Sequence, residues 1–274
     1  MTFVLALALV AFGVALAVRR REALSLAWSP DLGTAAAVAT GVLAAALSGS
    51  LLLFEEGSFV REAIHWLLIY GLCGATLPWV WTLLVERTGP RGMGLVWRRW
   101  RSAVVVNFLL GAFLAIGLAF RADLRSIGFE TLARASYTLL VGGLFEVYLY
   151  YGFIHLRLER AFGPVPAILG SAALYSLWHL GTELPLHEDP LGGLTFLFVV
   201  GVFYQSVFSA ARNLLAIWPF FFLGGVLTDF VDLGFPERVT HRLGWATVGW
   251  ILMLGLPWWL WARVSSSRSE AEGG

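Results

Sequence analysis

Apolar runs of about 20 residues recur along the whole of this chain, and they restrict its fold more than any other feature. A helix of about 20 apolar residues spans the hydrocarbon core of a bilayer, where only helices and closed barrels satisfy their backbone hydrogen bonds. The chain is 58% hydrophobic and 14% charged, whereas soluble domains carry about 25% charged residues. The sequence therefore predicts an all-α, polytopic transmembrane helix bundle with about eight or nine transmembrane helices. The predicted spans cover residues 3–18, 34–54, 62–85, 103–120, 133–156, 164–181, 191–210, 214–231 and 245–262.

The arginine residues predict the orientation of these spans. All 19 basic residues are Arg, which we interpret as the codon bias of a GC-rich genome, and we expect a bacterial inner (plasma) membrane protein. An outer N-terminus and a cytoplasmic C-terminus place 13 of these Arg in cytoplasmic segments and 6 outside, in agreement with the positive-inside rule. The first apolar run precedes Arg19–Arg21 instead of following a basic segment, so we expect a retained helix and not a signal peptide.

Composition divides the chain into three parts. Residues 1–122 are rich in Ala, Leu and Val, and we expect N-terminal transmembrane helices that pack or face lipid. Residues 123–264 hold more polar side chains and Tyr and are expected to form the functional membrane core, and residues 265–274 form a polar tail. The single Cys73 excludes an intrachain disulfide and a cysteine-cluster metal site. The net charge of +1 argues against a nucleic-acid partner.

Glu146 is the only charged residue between Tyr137 and Ile154. A carboxylate at bilayer depth costs at least about 2–3 kcal/mol, so it is kept where another group uses it or satisfies it. The small residues Gly142 and Gly143 lie one turn before it and allow close approach of a second helix. Glu146 is therefore the first candidate for a functional side chain.

His179 is the predicted partner of Glu146. The midpoint between the two positions falls on Phe162-Gly163-Pro164, a turn signal between two helical spans. Two antiparallel helices joined at this turn bring both side chains to the same depth, about 25 Å from the turn, while Arg157 and Arg160 are expected to project toward water. A carboxylate beside an imidazole can hold and deprotonate a water molecule. The same pair could also be two buried polar groups that only satisfy each other.

Two stretches carry a family resemblance: Glu146-Val-Tyr-Leu-Tyr-Tyr151-Gly152 and Tyr175-Ser-Leu-Trp-His179. Over roughly residues 133–231 the chain resembles the CPBP (CAAX-processing or Abi) intramembrane proteases. Their pattern is E-E-x-x-x-R, often with a following Gly, then F-x-x-x-H about thirty residues later and H-x-x-x-N or H-x-x-x-D in a later helix. The resemblance implies a helical membrane-embedded peptidase in which Glu146 activates water and His179 holds that water or polarises the substrate carbonyl. It also implies a prenylated tail, a membrane-anchored peptide or a C-terminal sorting helix as substrate, the last as in the bacterial myxosortases.

The chain departs from this family pattern in all three motifs. The second Glu is Val147 and the Arg is Tyr151. The lead-in of the third motif places its His near Gly224, or one position to either side, yet 214–231 contains no His. Secondary candidates for orienting groups are Tyr175, Tyr150 and Asp229.

A metal site is the weaker alternative for this region. His179, Glu183 and His187 are spaced by four and would share one face of a continuous helix. Pro185 predicts that the helix has already ended. We therefore assign no certain cofactor, and keep a divalent metal such as zinc, held by His179 and Glu183, as the alternative.

The sequence thus favours a glutamic, CPBP-type intramembrane endopeptidase, a hydrolase of a membrane-anchored peptide or C-terminal sorting helix. Its expected partners are a membrane-embedded peptide or protein substrate and the lipid bilayer, with no nucleic acid. A catalytically inactive CPBP-like scaffold, chaperone or regulator is a second hypothesis, which the missing third-motif His favours. A small-solute or proton carrier is a third, because intramembrane carboxylates also serve in such proteins.

Overall fold

The computed structural model describes residues 26–121, 128–186, 188–232 and 242–273, and its regular elements there are all helical. This confirms the predicted all-α class. We number eight helices of this described part in chain order. They are α1 Leu32–Ser50, α2 Phe59–Val85, α3 Trp100–Arg121, α4 Phe129–Phe162, α5 Pro164–Trp178, α6 Pro190–Ala211, α7 Phe220–Asp232 and α8 243–273.

Six of these helices are long and apolar enough to cross a bilayer: α1 to α4, α6 and α8. This agrees with a multi-pass membrane protein. The predicted spans 164–181 and 214–231 form the shorter helices α5 and α7, of 15 and 13 residues. At 1.5 Å per residue they reach only about 20–23 Å, against about 30 Å of hydrocarbon. The predicted span 3–18 lies outside the described residues.

Helix α4 forms the centre of the bundle. Most of its apolar window is buried (83%), whereas the corresponding window of α3 is mainly exposed (17% buried). Glycines let large rings pack closely between α4 and its neighbours. A Cβ atom added to Gly143 of α4 would lie 2.3 Å from the ring of Phe222, and one added to Gly74 of α2 would lie 2.3 Å from the ring of Phe145 of α4. The buried aromatic side chains of α4 thereby join α2 and α7 in one hydrophobic core.

The turn between α4 and α5 has the predicted position. Gly163 has φ +91°, a left-handed conformation that glycine adopts at little cost, and Pro164 begins α5 at the position where a helix tolerates proline. Helices α4 and α5 therefore form the antiparallel hairpin that the sequence indicated.

Arg157 corrects one expectation about this hairpin. Its side chain does not project toward water but is fully buried, whereas that of Arg160 is half exposed. The Nη2 atom of Arg157 donates to Glu86 Oε2 at 2.6 Å and to Thr82 Oγ1 at 2.8 Å. Because these acceptors come from the end of α2, they offset the cost of burying the guanidinium and bind α4 to α2.

Candidate active site

Glu146 lies in the middle of α4, at the boundary between α-helical turns and the π-helical turns of Val147–His155. Its side chain is buried, with 6% of the residue exposed. Trp178 Nε1 donates to its Oε1 at 3.4 Å, a long and weak hydrogen bond. Its Oε2 atom has no hydrogen-bond partner within the described residues. One oxygen of a buried carboxylate is therefore left for another molecule to use.

His179 follows α5 at the start of a 3₁₀ turn, His179–Gly181. Its Nδ1 atom lies 2.8 Å from the carbonyl oxygen of Tyr175, and because a carbonyl can only accept, Nδ1 carries the proton. Its Nε2 atom faces two carboxylates, at 3.6 Å from Glu146 Oε1 and 3.6 Å from Glu183 Oε2. Nε2 is therefore the ring nitrogen that is left to bind a molecule between the imidazole and the carboxylates.

The structure thus brings Glu146 and His179 together, as the hairpin geometry predicted. The separation of 3.6 Å exceeds a direct hydrogen bond and is the kind of gap that a bridging water fills. Glu183 reaches the same imidazole from the loop after the turn, although the helix has ended before it. The roles of these side chains in catalysis remain predictions.

The turn that carries His179 is fixed to α1. The backbone N–H of Gly181 donates to Ser48 Oγ at 3.1 Å, and a Cβ atom added to Gly181 would lie 1.7 Å from the Ser48 carbonyl oxygen. Arg61 adds a second attachment, because it donates to the carbonyl oxygens of Gly181, Leu51 and Phe54 at 3.3, 3.0 and 3.1 Å. The imidazole is therefore held by the neighbouring backbone as well as by its own helix.

The three secondary candidates lie in different environments. Tyr175 lines the same cavity as Glu146, and its ring packs against His179 edge to face at 4.7 Å. Tyr150 is fully buried and packs its ring edge to face on Tyr175, and its hydroxyl makes no hydrogen bond within the described residues. Asp229 falls in α7, but its side chain lies outside the described part of the chain.

A cavity of about 330 Å³ lies beside the Glu146–His179 pair. Its lining combines apolar side chains with charged ones from the chain segments before and after the hairpin. At its exposed end Arg242 Nε lies 3.3 Å from Glu62 Oε1, and its Nη2 lies 3.7 Å from Glu56 Oε1. The polar and charged side chains that line it are Glu56, Arg61, Glu62, His65, Tyr70, Thr138, Glu146, Tyr175, His179, Thr182, Glu183 and Arg242.

Part of the chain matches a known protein family. Residues 128–226 match the family model described as type II CAAX prenyl endopeptidase Rce1-like. This segment is Rce1-like. The match covers about a third of the chain, includes Glu146, His179 and Glu183, and confirms the resemblance to the CPBP proteases. Searches of curated proteins and of solved structures found no match. At the level of the family, the segment is related to membrane peptidases.

The Rce1-like segment ends on α7, the helix that carries the predicted position of the third-motif His. Gly224 does not face the cavity but packs on α3, where a Cβ atom added to it would lie 3.1 Å from Gly111 O. A Cβ atom added to Gly225 would meet the hydroxyl of Tyr204 at 2.0 Å. The described α7 residues that line the cavity are Phe222 and Val226, which are four positions apart. The close crossing of α3 and α7 at their glycines sets this rotation.

Two cavity residues outside the Rce1-like segment were missed from the sequence. Glu62 and His65 come from the start of α2, and both are more than nine-tenths buried. Trp66 Nε1 donates to Glu62 Oε2 at 2.9 Å. The spacing of Glu62, His65 and Trp66 on one helical face was the available signal, but no motif tied that face to Glu146.

The zinc alternative gains no geometric support. Among the described residues there is no group of three or more His, Cys, Asp or Glu side chains placed to hold a metal ion. His187, the third member of the predicted series, lies outside the described residues. A zinc site needs at least three protein ligands, and the third predicted one is not described, so the metal alternative stays a prediction.

Proposed function

We propose that this protein is an intramembrane endopeptidase that hydrolyses a membrane-anchored peptide, with Glu146 as the general base and His179 as its partner. The observation that carries the proposal is the buried carboxylate of Glu146, which faces an imidazole across 3.6 Å, beside a cavity, and keeps one oxygen without a protein partner. A structural ion pair of this cost would be expected to satisfy both oxygens.

The geometry supports a direct mechanism. A water molecule between Glu146 and His179 gives its proton to the Glu146 carboxylate as its oxygen attacks the carbonyl carbon of the scissile peptide bond. His179 Nε2 orients that water, and the Glu183 carboxylate, 3.6 Å from the same nitrogen, helps to position the imidazole. Collapse of the tetrahedral intermediate breaks the C–N bond, and Glu146 returns the proton to the leaving amine. One water is consumed, and a carboxylic acid and an amine are released.

The cavity also suits the proposed class of substrate. Its volume of about 330 Å³ is at the lower end of the range of ligand pockets, enough for a short extended segment. Leu51, Leu139 and Phe222 form apolar lining, while the half-exposed side chain of Glu56 marks the end that reaches solvent. A peptide with an apolar anchor and a polar cleavage site, such as a prenylated tail or a C-terminal sorting helix, matches this combination of apolar and charged lining residues.

The positions of the charged residues accord with the predicted orientation. We place the protein in the bacterial inner membrane with its N-terminus outside and its C-terminus cytoplasmic, so that the cavity opens to the outer face. A Glu56→Cys variant in intact cells should then react with a membrane-impermeant maleimide, while the buried native Cys73 stays unlabelled. Labelling that occurs only after the cells are opened would reverse this orientation.

The test of the peptidase uses the full chain in proteoliposomes with two probes. One is an internally quenched farnesylated peptide, and the other is an internally quenched peptide fused to a hydrophobic helix. We expect the wild-type protein to cleave one of them with incorporation of a single ¹⁸O from H₂¹⁸O into the new carboxyl group. Glu146→Gln and His179→Ala should each lower kcat by about 10²–10⁴-fold, because each removes a group that handles the proton.

The matched control is Glu130→Gln, an exposed carboxylate on the same helix, paired with Arg134. It should leave kcat unchanged, and so should a zinc chelator, since no step is assigned to a metal. Full activity of a stably inserted Glu146→Gln variant would overturn the assignment.

One observation favours the second hypothesis, a scaffold or regulator that binds a hydrophobic helix without cutting it. Phe222 and Val226 present apolar side chains on the α7 face that borders the cavity. This hypothesis predicts that wild type and Glu146→Gln bind the helix probe with equal affinity and that neither releases a product. No observation among the described residues favours the carrier hypothesis in the same way.

A further inference from the structure

Besides a base, peptide hydrolysis needs a donor that stabilises the developing oxyanion, and neither Glu146 nor His179 supplies it. Negative charge develops on the carbonyl oxygen in the tetrahedral intermediate, and removal of a single preorganised donor to that oxygen costs about 10²–10³-fold in kcat in other enzymes. Glu146 cannot donate while it is ionised, and His179 already uses Nδ1–H on the Tyr175 carbonyl. The donor must come from elsewhere in the cavity.

Among the described side chains of α7, the two that line the cavity are Phe222 and Val226, and neither carries a hydrogen-bond donor. The two arginines of the cavity are already engaged. Arg61 donates to three carbonyl oxygens, and Arg242 lies beside the carboxylates of Glu56 and Glu62. Arg61 therefore holds the turn that carries His179, and Arg242 pairs with carboxylates at the exposed end of the cavity.

His65 is different, because it lines the cavity and its nitrogens are not used by the protein. It is 7% exposed and makes no hydrogen bond within the described part of the chain. Neither nitrogen is among the fully buried polar atoms that lack a partner, so the ring edge reaches the cavity, where another molecule can accept a hydrogen bond from it.

The ring of His65 is fixed in place by aromatic neighbours. Its centroid lies 4.7 Å from that of Tyr70, 5.1 Å from that of Trp66 and 6.0 Å from that of Trp178. Trp178 in turn donates to Glu146 Oε1, so His65 and the base belong to one aromatic wall of the cavity. Packing alone orients the ring, which leaves a ring N–H for a bound substrate.

We propose that His65 is a catalytic residue that donates a ring N–H hydrogen bond to the carbonyl oxygen of the scissile peptide. This inference rests on the proposed peptidase function and adds the oxyanion donor to it. As the water oxygen bonds to the carbonyl carbon, the π electrons of the C=O bond move onto the carbonyl oxygen. The neutral His65 N–H donates a hydrogen bond to that oxygen without giving up its proton. This hydrogen bond strengthens as negative charge develops on the oxygen and weakens when the C–N bond breaks.

The experiment compares two substitutions of His65 on the cleaved probe in proteoliposomes. His65→Phe keeps an aromatic ring for Tyr70 and Trp178 but has no donor, whereas His65→Gln keeps an N–H donor. We expect His65→Phe to lower kcat by about 10²–10³-fold with an unchanged KM, and His65→Gln to retain at least about ten times the kcat of His65→Phe. A purely structural role would give the opposite order, since Phe is the better packing substitute.

A second measurement covers a variant that folds poorly. A peptide with a phosphinate in place of the scissile amide mimics the tetrahedral intermediate, and its affinity can be measured without turnover. Its Kd should rise in His65→Phe by the same factor as kcat falls, while the Kd of the uncleaved helix probe in the Glu146→Gln background stays constant. Equal phosphinate affinity in wild type and His65→Phe would overturn the assignment.

The outcomes also separate this inference from the function on which it rests. If Glu146→Gln is inactive and His65→Phe has normal kcat, the oxyanion role is wrong and the peptidase stands. If wild type cleaves neither probe and does not bind the phosphinate, the peptidase function fails, and the role of His65 fails with it.

Discussion

Helix α4 carries two buried polar clusters, about three helical turns apart, and they differ in how their hydrogen bonds are used. In the cavity cluster, Glu146 accepts one long bond from Trp178 and faces His179 at 3.6 Å. In the far cluster, Arg157 places both terminal nitrogens on protein acceptors, including Glu86 Oε2 at 2.6 Å. Glu146 and Arg157 are both charged residues within a membrane-spanning helix, but only Glu146 borders the cavity.

The difference separates two uses of a buried charge. The Arg157 guanidinium receives its stabilisation from carbonyl, hydroxyl and carboxylate oxygens of α2, of α4 and of the segment between α2 and α3, and it also stacks on the Phe153 ring at 4.2 Å. Such a group stabilises helix association. Of its nitrogens, only Nε lacks a hydrogen-bond partner among the described residues, and Arg157 does not border the cavity. Glu146 is left with an unsatisfied oxygen, a cost that proteins tolerate where binding or chemistry repays it.

The largest expected effect tests the far cluster. Arg157→Met should lower the free energy of unfolding by about 3–5 kcal/mol, because it leaves the mostly buried Glu86 carboxylate without its main partner. The thermal midpoint in detergent, followed by Trp fluorescence, measures the loss. The activity of the remaining folded fraction should be unchanged, since the cluster lies outside the cavity.

The matched comparison is Glu146→Gln, which should change the free energy of unfolding by less than about 1 kcal/mol while activity is lost. The double variant Arg157→Met, Glu86→Leu should recover part of the stability, because no buried charge is then left alone. The contrast between the clusters would be wrong if Arg157→Met reduced kcat without shifting the midpoint.

An intermediate effect tests how the cavity cluster is positioned. Gly181→Ala puts a methyl group against the Ser48 carbonyl, so the His179–Gly181 turn must move away from α1. We expect kcat to fall by at least about tenfold, because a shift of about 1 Å in a reacting group can cost more than that. The cost in stability should be about 1–3 kcal/mol.

Gly49→Ala is the control for this substitution. It lies on the same helix as Ser48, and an added Cβ atom would meet nothing within 4 Å. It should leave activity unchanged and raise stability by about 0.5–1 kcal/mol, as alanine does in place of glycine within a helix. If both variants behave alike, the turn is not fixed by this contact.

The sequence was sufficient for the parts of the site that depend on local geometry. The turn at Gly163 fixes where α4 reverses into α5, so equal distances along two helices predicted the meeting of Glu146 and His179. Likewise, apolar run length predicted the membrane class. Both rest on chain connectivity, which a single sequence contains.

Contacts between helices that are distant in sequence could not be predicted in this way. His65 enters the cavity because α2 packs against Trp178, and nothing near position 65 encodes that register. The register of α7 depends on how Gly224 meets Gly111 of α3. The burial of Arg157 depends on Glu86 and Thr82, which lie at the end of another helix.

The smallest expected effect returns to the far end of α4. Asp31 caps the N-terminus of α1. Its Oδ1 accepts hydrogen bonds from Thr34 N at 2.7 Å and from Thr34 Oγ1 at 2.8 Å, and its Oδ2 lies 4.0 Å from Arg160 Nη1. Asp31→Ala should cost about 1 kcal/mol of stability through loss of this cap and leave kcat unchanged.

The hydrogen bonds from Thr34 lower the pKa of Asp31 below its ordinary value of 3.8. The stabilisation is therefore fully present above that value and is lost as the pH falls through the lowered pKa. Thermal midpoints of wild type and Asp31→Ala should converge in that acidic range, and a constant difference between them at every pH would show that the carboxylate is not the capping group.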